Sequence, residues 1–319
     1  MRTFGYEAEF QSNAGLALRA LHERGYAPTP DMHRWHCDCT TCRFSGVGHL
    51  FRGQTDSSCS GEIISSVNRL RTGRDLANAY IDTETGRVSS RDAFQALQDA
   101  AVEFDAEPGT RSGFHVHVGV DHLNEDNKIK AVYNLARWEQ LLYDIAAGSL
   151  PIGARGENRR YQDDHLPRAH QLAQQTRRFS SAEYPRREVI DGFTVDPDDG
   201  YIIAPAPEAQ SIERVLYRVA SEADRHSSLN LRTNHGTWEF RLWNSTRSAW
   251  RMEMFCHLSL ALVEPDVILA MYDTPDDNLD LDTFEAIIRE QYNSDLAEMV
   301  ARQRALSVDT VPRFTQLVA

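Results

Sequence analysis

Basic charge, cysteine and long apolar runs are all scarce in this chain, and each shortage excludes something. Its 319 residues carry 34 lysines and arginines against 47 acids, a net charge of −13. Broad, sequence-independent binding to DNA or RNA needs a basic surface, so that class is not expected, although a small basic pocket stays open. No apolar run is long enough to span a bilayer, so no membrane partner is expected. Between Met1 and Phe10, Glu7 and Glu9 stand where a secretory signal needs its apolar stretch, which argues for a cytoplasmic protein. In a reducing compartment the 5 cysteines read as thiols or metal ligands rather than disulfides. Internal repeats and low-complexity tracts are missing too. What remains is an ordinary globular composition, 41% hydrophobic and 25% charged, at a length that allows one large domain or two smaller ones.

Hydrophobic periodicity predicts strands and helices in irregular alternation. Residues 3–10 read as a strand, and 13–24 as a helix ending near Gly25, with Leu16, Ala17, Leu18 and Leu21 at helical steps. From 28 to 60 periodicity disappears into a loop rich in cysteine and histidine. Residues 61–65 read as a strand, 91–104 as a helix and 113–120 as a strand. A long helix is predicted over 125–147, with Ile129, Val132, Leu135, Trp138, Leu142 and Ile145 at three- and four-residue steps. Residues 148–210 are polar and arginine-rich, a stretch whose length suggests a functional or mobile loop. A helix over 211–225 leads into a hairpin over 227–244 turning at Asn234-His235-Gly236. One long helix over 247–272 and one or two more over 281–305 close the chain. This order predicts an α+β fold whose antiparallel sheet is covered by helices on one side.

The strand segments carry an unusual polar face. In Gly113-Phe114-His115-Val116-His117-Val118-Gly119, alternation puts His115 and His117 side by side, opposite Phe114, Val116 and Val118. The first strand sets Glu7 and Glu9 against Tyr6, Ala8 and Phe10. The second strand of the hairpin sets Thr237, Glu239, Arg241 and Trp243 against Trp238, Phe240 and Leu242. A solvated sheet face would more often carry Lys, Thr, Ser and Gln. Carboxylates and imidazoles brought together from separate strands are what a divalent cation takes as ligands, and carboxylates converging without one would repel. Glu62 joins them on its own short strand, with Ile63 turned to the core.

These motifs, in this order, resemble the amidoligase family of the carboxylate–amine ligase superfamily, which includes glutamate–cysteine ligase-like enzymes and is built on the glutamine synthetase catalytic fold. The residues that carry the likeness are Phe4-Gly5-Tyr6-Glu7-Ala8-Glu9-Phe10, Gly113 through Gly119, and Asn230 through Arg241. The resemblance spans roughly residues 1–265 and implies a curved antiparallel sheet packed against helices, ATP, and two Mg²⁺ ions. By the same resemblance Glu7, His115 and Glu239 would hold the Mg²⁺ nearer the nucleotide, and Glu9 and Glu62 the one nearer the substrate carboxylate. His117 would contact an ATP phosphate. Arg241 would neutralise the phosphoryl group in transit, and Arg232 would be a second anion contact, though a solvated arginine fits there equally. A third carboxylate for the substrate-side ion is not evident, Asp56 being the nearest.

Two segments fall outside the resemblance. His36, Cys37, Cys39 and Cys42, with His33, His49 and Cys59 nearby, could hold a structural Zn²⁺ that pins the 28–60 loop, and free thiols fit as well. The arginines at 155, 159, 160, 168, 177, 178, 186 and 187 could close over an anionic substrate, or be solvated and balanced by neighbouring acids. The expectation is therefore a catalytic domain over 1–265, with inserted loops at 28–60 and 148–210, and a helical extension over 266–319 packed on it. Its reaction would be ATP- and Mg²⁺-dependent ligation of a small-molecule or peptide carboxylate to an amine. Two alternatives stay open: a guanidino-kinase-like phosphotransferase, and a zinc-stabilised binding protein without turnover.

Overall fold

A computed structural model describes residues 2–33, 49–55, 59–70, 74, 78–108, 112–147, 213, 214, 217, 220, 221, 229–231, 233 and 236–308. Among them nine strands form one sheet: β1 (Arg2–Phe10), β2 (Phe51–Gln54), β3 (Gly61–Ser65), β4 (Asn68–Leu70), β5 (Ala79–Thr83), β6 (Gly86–Ser89), β7 (Gly113–Gly119), β8 (Leu229–Asn230) and β9 (Thr237–Asn244). The main order is β6-β5-β4-β1-β7-β9-β8, and every paired strand is antiparallel to its neighbour. Beside β1 the sheet forks. Its first residues pair with β4, and Glu7 to Phe10 pair with β3, which in turn carries β2. Ser65 marks the fork by accepting a hydrogen bond from the Tyr6 amide at 2.9 Å.

Among the described residues seven α-helices have both ends defined: α1 (Ala14–Glu23), α2 (Ser90–Glu103), α3 (Glu125–Ala147), α4 (Ala249–Ala261), α5 (Pro265–Asp273), α6 (Leu281–Gln291) and α7 (Ser294–Val308). The inward residues of the central strands, Phe4, Tyr6, Phe114, Val116 and Phe240, are buried with α1, α2 and α4 in one apolar core. Burial of this kind contributes about 25 cal/mol per Å² and is the main force holding the layers together. Ser89 caps α2 by accepting from the Asp92 amide at 3.0 Å, so the chain turns from β6 into helix without a loop. The architecture is α+β with an antiparallel sheet, as the alternation predicted.

Several predicted elements need correction. The helix over 247–272 is two helices, α4 and α5, bent by 76°. Pro265 has no amide hydrogen and forces Glu264 into an extended conformation, so the first helix must stop there. The 28–60 loop contains β2, and β4 to β6 were not predicted at all. These are short segments with charged residues such as Arg69, Asp82 and Arg87, too little apolar alternation to register. Residues 211–225 lie mostly outside the described residues, and those described, 213, 214, 217, 220 and 221, are helical as predicted. The stem of the cysteine-rich loop is held by ordinary means: His33 bonds to β2 through its backbone, its N–H to Gly53 O at 3.1 Å and its carbonyl to the Thr55 amide at 2.7 Å. Met32 packs where a Cβ on Gly53 would stand.

No single helix among the described residues is long and apolar enough to cross a membrane.

Candidate metal centre

Strand register gathers the polar residues into rows across one face, because directly opposed residues of a sheet point to the same side. One row runs Arg52, Ile64, Glu7, His115 from β2 to β7. The next runs Gln54, Glu62, Glu9, and ends where the Gly113 amide donates to Glu9 Oε2 at 2.6 Å. A third sets Gly5, His117, Glu239 and Asn230 in line. Three pairs of neighbouring strands thus meet at Glu7 and His115.

His115 is the hub. Its ring is 1% exposed and lies among three carboxylates: Nδ1 is 3.2 Å from Glu7 Oε2 and 3.7 Å from Glu239 Oε1, and Nε2 is 3.7 Å from Glu9 Oε1. Ligand atoms of Glu7, His115 and Glu239 all lie within 4.8 Å of one another, a group that could hold a metal ion. Two carboxylates and one imidazole on a rigid sheet form a donor set suited to a divalent cation that prefers oxygen, with positions left for other ligands. The residues fit the ion that the resemblance implies.

His117 and Arg241 border this group. His117 Nε2 is 3.4 Å from Glu7 Oε1 and its Nδ1 is 3.4 Å from Thr237 Oγ1. Arg241 Nη1 donates to Glu239 Oε1, whose other oxygen accepts from Asn230 Nδ2 at 2.8 Å. Arg241 Nε is buried and makes no hydrogen bond. Burial alone would raise the Glu7 carboxyl, but hydrogen bonds and charge from His115 and His117 outweigh it and hold Glu7 well below the usual carboxylate range. Glu239 is lowered too, burial being overcome by the charges of Arg241, His115 and His117. For His117 burial works downward, yet the bond to Glu7 and the charges of Glu7 and Glu239 raise it above the ordinary imidazole value. The centre is therefore charged on both sides: anionic ligands braced by imidazoles and one guanidinium.

A kink in β9 shapes the far wall. Phe114 pairs with Trp243 and Val116 with Phe240, so Arg241 and Leu242 together stand opposite His115. This bulge reverses the alternation beyond it. Trp243 had been expected beside Glu239; instead it is buried on the helix side, stacked on Phe255 at 5.0 Å, with Nε1 donating to Ser259 Oγ at 2.8 Å. Arg241 stays with Glu239.

Glu7, Glu9, Glu62, His115, His117, Glu239 and Arg241 are thus on one face, and Glu9 and Glu62 form a directly opposed, buried pair. Arg232, Asp56, His36, Cys37, Cys39 and Cys42 lie outside the described residues. Cys59 is half-buried, forms no disulfide, and donates to Gly61 O at 3.5 Å. Sequence reasoning gave no role to Asn230, to Gly113 or to Gln54, whose Nε2 is 3.4 Å from Glu62 Oε2. Asn230 opened a quoted motif, and that was its one available signal. Compared with known proteins, the chain matches no protein-family model and no curated protein sequence. The family likeness stands on the motif residues alone.

Proposed function

We propose that the chain is an ATP- and Mg²⁺-dependent ligase that joins a carboxylate to an amine. The observation that carries this reading is the convergence of Glu7, His115 and Glu239, flanked on one side by Arg241 and His117 and on the other by the buried Glu9–Glu62 pair. The overall reaction transfers the γ-phosphoryl group of ATP to a carboxylate, and an amine then displaces phosphate to leave an amide. Divalent ions held by Glu7, His115 and Glu239, and by Glu9 and Glu62, would supply positive charge to phosphate and carboxylate oxygens. Arg241 offers a planar cation whose unbonded Nε can donate to a phosphate oxygen, while its Nη1 stays fixed on Glu239. His117 is half-buried next to Glu7, whose carboxylate favours the protonated imidazole and so raises its pKa. The Gly113 amide anchors Glu9 from below, so that carboxylate is oriented before any ligand arrives.

Calorimetry with ATP and Mg²⁺ tests the first half of the proposal, and the products test the second. Binding is expected in the wild type and lost in Glu7→Gln and Glu239→Gln. ADP and inorganic phosphate should appear together only when a carboxylate and an amine are both supplied. ADP without phosphate would point to phosphotransfer, and no binding at all would leave a non-catalytic protein.

A further inference from the structure

Three acids of the centre are held from outside by neutral groups. Glu9 Oε2 accepts from the Gly113 amide at 2.6 Å, Glu239 Oε2 accepts from Asn230 Nδ2 at 2.8 Å, and Gln54 Nε2 stands 3.4 Å from Glu62 Oε2. These donors carry no charge, so each fixes a carboxylate without cancelling what attracts a cation. At Glu239 the two oxygens have different surroundings. Oε1 lies on the inner side, 3.7 Å from His115 Nδ1 and bonded to Arg241 Nη1. Oε2 is turned to β8, where Asn230 stands directly opposite Glu239. A carboxylate can only accept, so Asn230 must present its amino side to it. Asn230 is 7% exposed and Glu239 5%, which leaves little water to replace the bond if it breaks.

That difference between the oxygens bears on which cation the centre takes. Mg²⁺ demands a near-octahedral shell at about 2.0–2.1 Å, which one oxygen per carboxylate satisfies. Ca²⁺ has a larger shell, at about 2.3–2.6 Å, and fills it by drawing on both oxygens of a carboxylate. For Glu239 to bind in that way, Oε2 would have to swing off Asn230 and leave a buried amide without its acceptor. Resting on the metal centre of the ligase reading but not on its ATP chemistry, the geometry points to Asn230 as a positioning residue that sets the choice of cation. It confines Glu239 to ligation through one oxygen, and so favours the small ion over the large one. The Gly113 amide acts on Glu9 in the same sense.

The test displaces Mn²⁺ from the full chain with Mg²⁺ or with Ca²⁺, in the absence of ATP, and reads the released Mn²⁺ by electron paramagnetic resonance. The ratio of the two half-displacing concentrations does not depend on how tightly Mn²⁺ itself is held. It should favour Mg²⁺ in the wild type. In Asn230→Ala it should shrink about tenfold, the scale of loss when a ligand's outer partner is removed, with Mg²⁺ affected and Ca²⁺ spared. A bond that only held the fold together would weaken both ions alike and leave the ratio where it was. Asn230→Leu, which keeps volume without the donor, should give the same ratio, and it serves if the smaller side chain melts below the assay temperature. An unchanged ratio in either folded variant, or a wild type that prefers Ca²⁺, would overturn the Asn230 assignment alone. A wild type that binds no Mn²⁺ would overturn both the assignment and the metal centre beneath it. The expected ratios with no ADP formed from ATP would support the assignment and remove only the ligation chemistry.

Discussion

Close backbone approach at Gly113 is what lets His115 sit among three carboxylates. A Cβ there would stand 2.7 Å from His115 Nε2 and 3.6 Å from Glu9 Oε2, so the imidazole would have to give way. Gly113→Ala should therefore weaken Mn²⁺ binding about tenfold by calorimetry, the loss expected when a ligand's support is disturbed, with little change in melting temperature. The Glu7–His117 contact supplies a second prediction, for the metal-free protein. Glu7 is lowered from the ordinary 4.5, so its contribution is complete above that value and is lost as pH falls through the depressed one. His117 is raised from 6.5, so its contribution is complete below 6.5 and is lost as pH rises through the elevated value. The gap in melting temperature between the wild type and His117→Ala should then be widest between pH 4.5 and 6.5 and should narrow as pH rises. A gap that widens toward pH 9 would contradict the ion pair. At this scale much was legible: alternation alone assigned Glu7, Glu9, His115, His117, Glu239 and Arg241 to one face. Asn230 and Gln54 were not, because a neutral amide becomes informative only when its partner across a strand is known.

Among the elements, α4 carries a burden hidden in the sequence. His257 is fully buried against Phe4, its ring centroid 6.0 Å away, and neither ring nitrogen has a hydrogen-bond partner. Burial, with a smaller push from Arg91, lowers its pKa from 6.5 to about 3. The folded state thus keeps His257 neutral, while the unfolded chain takes up a proton below the ordinary value. Stability is lost from about pH 6.5 downward, on the order of 1 kcal/mol per pH unit, until the folded value near 3 is reached. Replacing it by an apolar residue removes both this acid sensitivity and an unsatisfied polar group. His257→Leu should melt higher than the wild type at pH 5, with a smaller difference at pH 8, by circular dichroism. Elements with strong periodicity, β1, α1, α2, β7 and α3, were predicted close to their observed bounds. The misses have physical causes: Pro265 broke a helix whose apolar pattern ran on, and the bulge at Arg241–Leu242 carried Trp243 to the other face.

For the molecule as a whole, the C-terminal helices are structural partners of α3. Trp138 meets Phe284 at 5.7 Å, Asn134 Nδ2 donates to Ile268 O at 2.7 Å, and Gln303 Nε2 donates to Ile145 O at 3.2 Å. Arg137 Nη1 donates to the carbonyls of Met271 and Tyr272 at 3.2 and 3.1 Å, where α5 ends. A fragment ending at Glu264 would leave the buried Trp138, Leu142 and Ile145 without this cover. It should fail to unfold cooperatively in urea, whereas the full chain should show coincident transitions by far-ultraviolet circular dichroism and tryptophan fluorescence. A cooperative, soluble 1–264 fragment would show that the extension is dispensable.

Sequence by itself determined which residues could act together. Period-two alternation and residue chemistry are local properties, and they placed acids and imidazoles on the polar side of three strands. Which of those residues meet was decided by register and strand order, since pairing depends on contacts between segments more than 100 positions apart, such as Glu7 with His115. The fork beside β1 brought Glu62 against Glu9, and an edge strand inside a featureless loop delivered Arg52 and Gln54 to the same face. Hydrogen bonding between distant strands, rather than any local pattern, turned a list of polar residues into one centre.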